Sequence, residues 1–187
     1  MDYDIVIPQN NEQEFIKIAS RLRIKKLVFL YDFETYLEKD FSDGKISIEI
    51  GFLANIKNAE TAMKKSKFVA VKSSERDREF LEGKKTNIIY GFEEFRKKDF
   101  LHQRASGLNH ITCEIAAKNG VTVGFSYGSL LIKEPREQSL TLGRMIQNMR
   151  LCKKYKTKTK IACFSSNPYH LRADYEIKSL LNVLSGK

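Results

Sequence analysis

The stretch SGLNHITCEIAAKNGVTVGF, residues 106–125, contains a helix, a stop signal and a strand in direct succession. Ser106 is a typical helix cap, and Gly120 is a typical residue with which to end a helix at Asn119. The apolar face of this helix recurs at helical spacing, at Leu108, Ile111, Thr112, Ile115 and Ala116. The run 121–125 (VTVGF) then predicts a buried strand, so the stretch predicts one helix–strand unit of an α/β protein.

The same unit repeats along the chain in both directions. Short runs rich in β-branched or aromatic residues predict seven strands, at 4–7, 26–31, 45–54, 67–71, 86–92, 121–125 and 160–164. Longer amphipathic segments predict helices at 12–22, 32–39, 55–64, 74–81, 106–119, 135–155 and 174–184. Pro135 suits the first turn of its helix, and Ser74 could cap another.

Strands that alternate with helices and are apolar along their whole length are typical of parallel sheets covered by helices. We therefore expect a TIM-barrel-like α/β fold with about seven parallel strands in a single domain, 1–187. A barrel of this length must be abbreviated, because eight complete units need more residues. A doubly wound open sheet is the alternative.

Positive charge is concentrated in the second half of the chain. Residues 1–100 contain 14 lysines and 5 arginines against 18 acidic residues, whereas residues 101–187 contain 9 lysines and 5 arginines against 5 acidic residues. The net charges are therefore +1 and +9. This asymmetry favours contact between one side of the protein and a polyanion, although a generally basic proteome would also raise the charge.

The beginning of the chain predicts a protein that stays in the cytosol or the nucleus. The start, MDYDIVI, is acidic and strand-like, unlike a signal peptide, and no apolar run approaches the roughly 18 residues that span a bilayer. We therefore expect a cytoplasmic location and no membrane partner. Cys113, Cys152 and Cys163 lie in apolar patterns without close spacing, which predicts buried free thiols rather than a zinc site.

Motifs for metal or nucleotide chemistry are missing from the sequence. It contains no phosphate-binding glycine loop, and its three histidines are scattered. The first strand ends in Ile7-Pro8-Gln9 and so supplies no metal ligand at the edge where a hydrolytic barrel normally needs one. Asp32 and Glu93 lie near strand ends, where they are interpreted as charges at helix N-termini. These features disfavour metal-dependent hydrolysis.

Three basic segments are candidates for phosphate contact. Arg104 and His110 flank the start of a helix, whose free N–H groups attract anions, and an ordinary capped helix with a solvated arginine is the alternative. The segment 164–172 (FSSNPYHLR) follows a strand and ends in Arg172, so we expect it at the carboxyl face of the barrel. The run 153–160 (KKYKTKTK), which begins with Lys153 and Lys154, precedes a strand and belongs to the opposite face. That run is either a solvated connector or a phosphate contact.

The second half resembles archaeal ribonuclease P protein component 3, the relative of the eukaryotic thirty-kilodalton ribonuclease P subunit. The resemblance covers roughly 101–187 and rests on the order and spacing of several elements: Ser106-Gly107-Leu108-Asn109-His110, 116–119, 121–126, Leu130-Leu131, the long helix with Arg144, Ser165-Ser166, Leu171-Arg172 and the terminal helix closing on Gly186. His110, Lys118 and Arg172 lie within matching motifs, and Arg104 lies beside one. The first hundred residues share mainly the rhythm of strands and helices.

This resemblance implies a barrel related to the polymerase and histidinol-phosphatase phosphoesterases. It also implies binding to a catalytic RNA that performs the 5′ maturation of precursor tRNA, so the protein acts within a holoenzyme and is not expected to be catalytic alone. No cofactor is expected on the protein, and the RNA uses the magnesium. A second protein, ribonuclease P component 2, is the expected partner, in a heterotetramer with two copies of each protein.

Two other functions stay open at this point. A metal-dependent phosphoesterase of the same barrel type would hydrolyse a phosphoester alone, and a protein-interaction scaffold would use its charge on an acidic partner. The RNA-binding hypothesis assigns the contacts to seven residues: Arg104, His110, Lys118, Arg144, Lys153, Lys154 and Arg172.

Overall fold

The computed structural model describes residues 3–38, 41, 46–94, 99, 101–102 and 104–186. The seven strands are β1 (Asp4–Val6), β2 (Lys26–Asp32), β3 (Ser47–Leu53), β4 (Val69–Lys72), β5 (Ile88–Tyr90), β6 (Thr122–Ser126) and β7 (Thr159–Ala162). The α-helices of the described part are α1 (Glu12–Arg21), α2 (Ala59–Lys65), α3 (Asp77–Glu82), α4 (His110–Asn119), α5 (Pro135–Lys154) and α6 (Asp174–Ser185). Short 3₁₀ helices lie at Phe92–Glu94, Leu130–Ile132 and Pro168–His170. All seven strand predictions are confirmed.

The strands form one parallel sheet in chain order, β1 to β7. Two backbone hydrogen bonds then connect its ends. The Phe164 N–H donates to the Ile5 carbonyl at 2.8 Å, and the Ile7 N–H donates to the Ser165 carbonyl at 3.0 Å. The sheet is therefore a nearly closed barrel, as predicted. The strand order excludes the doubly wound alternative, because that fold reverses its strand order midway.

A buried carboxylate reinforces the seam between β1 and β7. Asp4 Oδ1 accepts hydrogen bonds from the N–H groups of Ile5 and Cys163, both at 2.8 Å. Asp4 Oδ2 accepts the hydroxyl proton of Tyr127 at 2.6 Å. Burial raises the pKa of Asp4, while these hydrogen bonds oppose the rise. One side chain thus connects the first strand, the last strand and the loop after β6.

The barrel interior is filled with side chains. Tyr90 and Phe164 stack with ring centroids 4.2 Å apart and an interplanar angle of 4°. Gly124, opposite Tyr90 in β6, makes room for them, because a Cβ atom there would lie 2.8 Å from the Tyr90 Cβ. The rest of this interior cluster is Ile5, Val28, Leu30, Ala70, Ile88 and Ala162. The barrel is therefore a packed core and not a pore.

A larger apolar layer lies between the barrel and its helices. It is anchored by fully buried side chains that include Phe15, Phe29, Phe125, Met145 and Leu184. The three cysteines are buried free thiols, as predicted. Among the described residues, no helix combines the length and the apolar character that crossing a bilayer requires.

The helix predicted at 32–39 is wrong for the residues that the structure describes, which run to 38. Asp32 is the last residue of β2, and its Oδ1 accepts the Glu34 N–H at 2.9 Å, which produces a turn at 33–35. Asp32 is therefore not a charge at a helix N-terminus. Phe33 and Tyr36 of the predicted helix pack their rings against Phe52 instead.

The predicted cap at Ser106 is also wrong, although the helix ends at Asn119 and Gly120 as expected. Gly107 has a φ of +77° and lies against the backbone of Phe92, which leaves no space for a Cβ atom. The helix consequently starts later, after Asn109. The Asn109 side chain accepts the Thr112 N–H at 3.0 Å, and Thr112 Oγ1 accepts the Asn109 N–H at 3.1 Å.

Replacing the seam carboxylate is expected to cost more than removing its tyrosine partner. Asp4→Ala leaves two buried backbone N–H groups and one hydroxyl without their acceptor, so we expect a loss of about 3 kcal/mol in the free energy of unfolding. Tyr127→Phe leaves Asp4 Oδ2 without its donor but keeps both backbone N–H groups on Asp4 Oδ1, so it should cost less, about 1.5 kcal/mol. Urea denaturation of both variants measures the difference. Equal losses would contradict the role of Asp4 at the seam.

Candidate nucleic-acid interface

One flank of α5 carries a shallow basic cavity of about 410 Å³. Gly143, Gln147, Arg150 and Lys154 line it at spacings of four, three and four residues, which places them on one face of the helix. Arg104, from the loop before α4, lies across this face and lines the same cavity. The cavity therefore brings together two predicted site residues, Arg104 and Lys154, that are 50 positions apart in the sequence.

Side-chain amides of α5 hold the loop that carries Arg104. Gln147 Oε1 accepts the Arg104 N–H at 3.3 Å, and Gln147 Nε2 donates to the Arg104 carbonyl at 3.0 Å and to Ser106 Oγ at 2.8 Å. The buried Asn148 Nδ2 donates to the Ser106 carbonyl at 2.9 Å. Gly143 provides the space, because a Cβ atom there would lie 2.5 Å from Arg104 Cζ. The Arg104 guanidinium is thus positioned on the helix surface.

Aromatic contacts extend the basic cavity to the start of α4. The His110 ring lies 6.4 Å from the half-buried Tyr155 ring, and Lys154 Nζ lies 5.5 Å from the centroid of the same ring. We call the surface formed by Arg104, His110, Arg150 and Lys154 the basic face. A basic surface with an aromatic ring among its cations is typical of proteins that bind single-stranded or looped RNA.

The side chains of the basic face are accessible to a ligand. Arg104, His110, Arg150 and Lys154 are all exposed, as are Lys153 in the last turn of α5 and Lys118 near the end of α4. Within the part of the chain that the structure describes, Arg150, Lys153 and Lys154 form no ion pair. Lys160 differs from the rest of its run, since its Nζ donates to the Tyr3 carbonyl at 2.6 Å and lies 3.8 Å from the Tyr3 ring centroid.

Arg144 occupies a different environment from the other predicted site residues. Its Nε and Nη2 donate to Asp99 Oδ1 at 3.0 and 2.8 Å, and its side chain is only 12% exposed. Asp99 Oδ1 also accepts the Ala105 N–H at 2.9 Å. Burial raises the pKa of Asp99, but the hydrogen bonds from Arg144 and Ala105 and the nearby arginine charges outweigh it and lower the pKa. This placement favours a structural role for Arg144, and its predicted RNA contact stays a prediction.

Arg172 lies away from the basic face. It lines a cavity of about 350 Å³ together with Arg23 and Lys25, which belong to the loop between α1 and β2. That loop is at the amino-terminal end of the barrel. Arg172 is therefore not at the carboxyl face, where the sequence analysis predicts it. The chain after β7 runs along the seam towards the amino-terminal end of the barrel before α6 begins. Ser166 stays near the start of α1, where its carbonyl accepts Asn11 Nδ2 at 2.9 Å.

Sequence reasoning missed Arg150 and Asp99. The spacing of Gly143, Gln147, Arg150 and Lys154 on a helix that the sequence predicts correctly was a signal that could have identified Arg150. Asp99 lies in a loop without periodicity, so no comparable signal exists for it. Among the described residues, no group of three or more His, Cys, Asp or Glu side chains is placed to hold a metal ion.

Comparison with known proteins confirms the resemblance seen in the sequence. The chain is 27% identical over 84 residues to ribonuclease P protein component 3 of Methanocaldococcus jannaschii, a match covering 45% of this chain and 36% of that protein. The protein of the same name from Thermococcus gammatolerans is 30% identical over 81 residues, which cover 43% of this chain and 38% of the relative. The matches thus span well under half of these relatives. No family model matches the chain.

A solved structure supports the fold over almost the whole chain. A chain in the cryo-EM structure of an archaeal ribonuclease P with mature tRNA superimposes with a TM-score of 0.78. The superposition covers 98% of this chain and 82% of that chain, at 20% sequence identity. The first hundred residues therefore share that fold even though their sequence resemblance was weak.

Arg144 forms an ion pair with Asp99, whereas Arg150 is exposed, so we expect these two arginines of α5 to contribute differently to the free energy of unfolding. Arg144→Ala removes the main partner of the Asp99 carboxylate, so we expect a loss of about 2 kcal/mol in the free energy of unfolding. Arg150→Ala, a substitution of the same kind on an exposed position, should change it by less than about 0.5 kcal/mol. Chemical denaturation compares the two variants, and an Arg144→Ala protein as stable as the parent would refute the structural role.

Proposed function

We propose that this chain is an RNA-binding protein subunit of ribonuclease P that assists a catalytic RNA in the 5′ maturation of precursor tRNA. The single observation that carries the proposal is the basic face, which gathers Arg104, His110, Arg150 and Lys154 from two helices and a loop. The relatives and the solved structure described above support the same function, since they are ribonuclease P proteins or contain them.

In this proposal the protein binds RNA chiefly through phosphate neutralisation. Exposed guanidinium and ammonium groups displace the counterions of RNA, and Tyr155 and His110 offer ring surfaces to an unstacked base. Lys118 and Lys153 extend the contact along α4 and α5. Arg172, with Arg23 and Lys25, supplies cationic side chains to a second cavity, which lies at the start of α6. The RNA would therefore follow the side of the barrel rather than enter a pocket.

The chemistry in this proposal belongs to the RNA, which uses magnesium, and the protein binds no cofactor of its own. The protein stabilises the folded RNA and so lowers the magnesium concentration that cleavage requires. It contacts precursor tRNA only indirectly. Ribonuclease P protein component 2 is the proposed protein partner, in a heterotetramer with two copies of each chain.

Removing three cations of the basic face should weaken RNA binding and reduce its salt dependence. Each phosphate contact contributes on the order of 0.7–0.9 log units of affinity per tenfold change in salt. The triple variant Arg104→Ala, Arg150→Ala, Lys154→Ala should therefore bind ribonuclease P RNA with a slope about 2 to 3 log units shallower. Filter binding at salt concentrations from about 50 to about 500 mM measures the slope.

The matched control has the same charge change on the other side of the barrel. Lys57, Lys64 and Lys65 lie at or near α2 and are exposed. Replacing all three by alanine should leave the slope within about one contact of the parent. If the two triple variants lose the same slope, the binding is a response to net charge and the basic face is not the RNA site.

Gly143→Ala tests the position of Arg104 without removing any charge. The added Cβ displaces the flexible end of Arg104, while alanine is favoured over glycine in a helix by about 0.5–1 kcal/mol. The variant should therefore fold at least as stably as the parent and bind RNA as weakly as Arg104→Ala does. RNA affinity equal to that of the parent would show that Arg104 does not contact RNA from this position.

A further inference from the structure

A second cavity, of about 530 Å³, lies on a different flank of α5 from the basic face. Its walls are the 3₁₀ helix Leu130–Ile132 with the residues around it, and the first half of α5, where Glu137, Leu140, Thr141 and Arg144 share one helix face. Glu93 and Glu94, which follow β5, complete the lining. The RNA-binding proposal makes no use of this cavity.

Glu93 is a buried carboxylate with one oxygen left unsatisfied. The residue is 0% exposed, and its Oε1 accepts the Ser126 N–H at 3.0 Å. Its Oε2 is buried and has no hydrogen-bond partner among the described residues. Burial raises the pKa of Glu93 to about 7, against the lowering effect of its backbone hydrogen bonds. A buried carboxylate with an unsatisfied oxygen is costly, so a positive charge placed near it is favoured.

Most of the other charged side chains of the cavity already have a hydrogen-bond or ion-pair partner. Glu94 pairs with Lys72 at 2.7 Å, and Arg144 is held by Asp99. Lys133 Nζ donates to Thr141 Oγ1 at 2.9 Å, and its charge lowers the pKa of Glu93 without forming a hydrogen bond to it. Glu137 adds a third carboxylate to the lining. The cavity therefore retains acceptor capacity for a cationic donor.

Exposed apolar side chains surround this acidic cavity. Ile132 is 73% exposed and Leu140 is 40% exposed, and both line it, while the neighbouring Leu131 is 41% exposed. Large apolar groups that cluster at the surface mark interaction sites more often than isolated ones do. A carboxylate floor with an apolar rim matches a protein segment and repels the phosphates of RNA.

We propose that this cavity docks a protein partner, which places an arginine or lysine side chain in the cavity beside Glu93 and apolar side chains on Ile132 and Leu140. The long cationic side chain enters the cavity and stabilises the Glu93 carboxylate by its charge. The rim excludes water from that contact, as in the central residues of protein interfaces. The α5 helix then separates two interactions, with the basic face on one flank and a protein on another. This inference does not depend on RNA binding.

The test uses the full chain and a pair of synthetic peptides. One is N-acetyl-Leu-Arg-Leu-amide, and the other carries citrulline in place of arginine, which keeps the shape and removes the charge. NMR titration of the amide and methyl signals of residues 129–141 reports binding. We expect the arginine peptide to bind with a dissociation constant on the order of 1 mM and the citrulline peptide to bind about tenfold more weakly.

Two glutamine variants locate the interaction. Glu93→Gln keeps an oxygen for the Ser126 N–H and removes the charge, and it should reduce the affinity for the arginine peptide about tenfold, to that of the citrulline peptide. Glu134→Gln makes the same change at an exposed residue that does not line the cavity, and it should leave the affinity unchanged.

Two outcomes would overturn the proposal. They are equal binding of the two peptides and an unchanged affinity of Glu93→Gln. Binding of RNA to Glu93→Gln is measured in parallel and should equal that of the parent. A failure of the docking proposal is thereby distinguished from a failure of the proposed function, which depends on the basic face.

Discussion

The hydrogen bonding between β7 and β1 closes the seven-stranded sheet into a barrel, and the outer helices are arranged around this closed barrel. A parallel sheet of seven strands left open would expose two edges, and closure removes them. Among the described residues, two backbone hydrogen bonds make the connection, and the buried Asp4 side chain accepts three more beside it, one of them from the Cys163 N–H that follows β7. Closure also determines where the chain goes after β7, because the segment that leads to α6 must pass over the seam. That path is the reason that Arg172 reaches the loop between α1 and β2.

The closed barrel in turn gives α5 its central position among the helices. This helix packs against both α4 and α6, and its buried face holds Met145, Met149 and Cys152 in the core. Two further flanks of α5 are accessible to partners. One carries Arg150 and Lys154, and the other carries Glu137 and Leu140. The first flank is cationic, and the second combines carboxylates with apolar side chains. In our proposals, the first flank binds an RNA and the second binds a protein.

The sequence predicts the architecture well because its strands are continuous apolar runs. Such runs can be recognised without knowing which distant residues they contact. The predictions are wrong at positions where the backbone conformation, or a contact with a residue distant in the sequence, determines the structure. Ser106 has the chemistry of a cap, but the positive φ of Gly107 delays the helix to Asn109. Arg144 resembles the other basic residues of its segment until Asp99, 45 positions earlier, is placed beside it. Arg104 and Lys154 were identified from their charge, whereas their meeting in one cavity depends on the packing of a loop on α5.

We propose that this chain acts on precursor tRNA only as a subunit that supports a catalytic RNA. The most direct measurement is the rate of precursor-tRNA cleavage by the cognate ribonuclease P RNA and the other protein subunits, at limiting magnesium, with and without this chain. We expect that adding the chain raises the rate of precursor-tRNA cleavage and lowers the magnesium concentration that cleavage requires. We also expect that the chain without RNA does not cleave precursor tRNA. An unchanged rate and magnesium requirement, or cleavage by the purified chain alone, would contradict it.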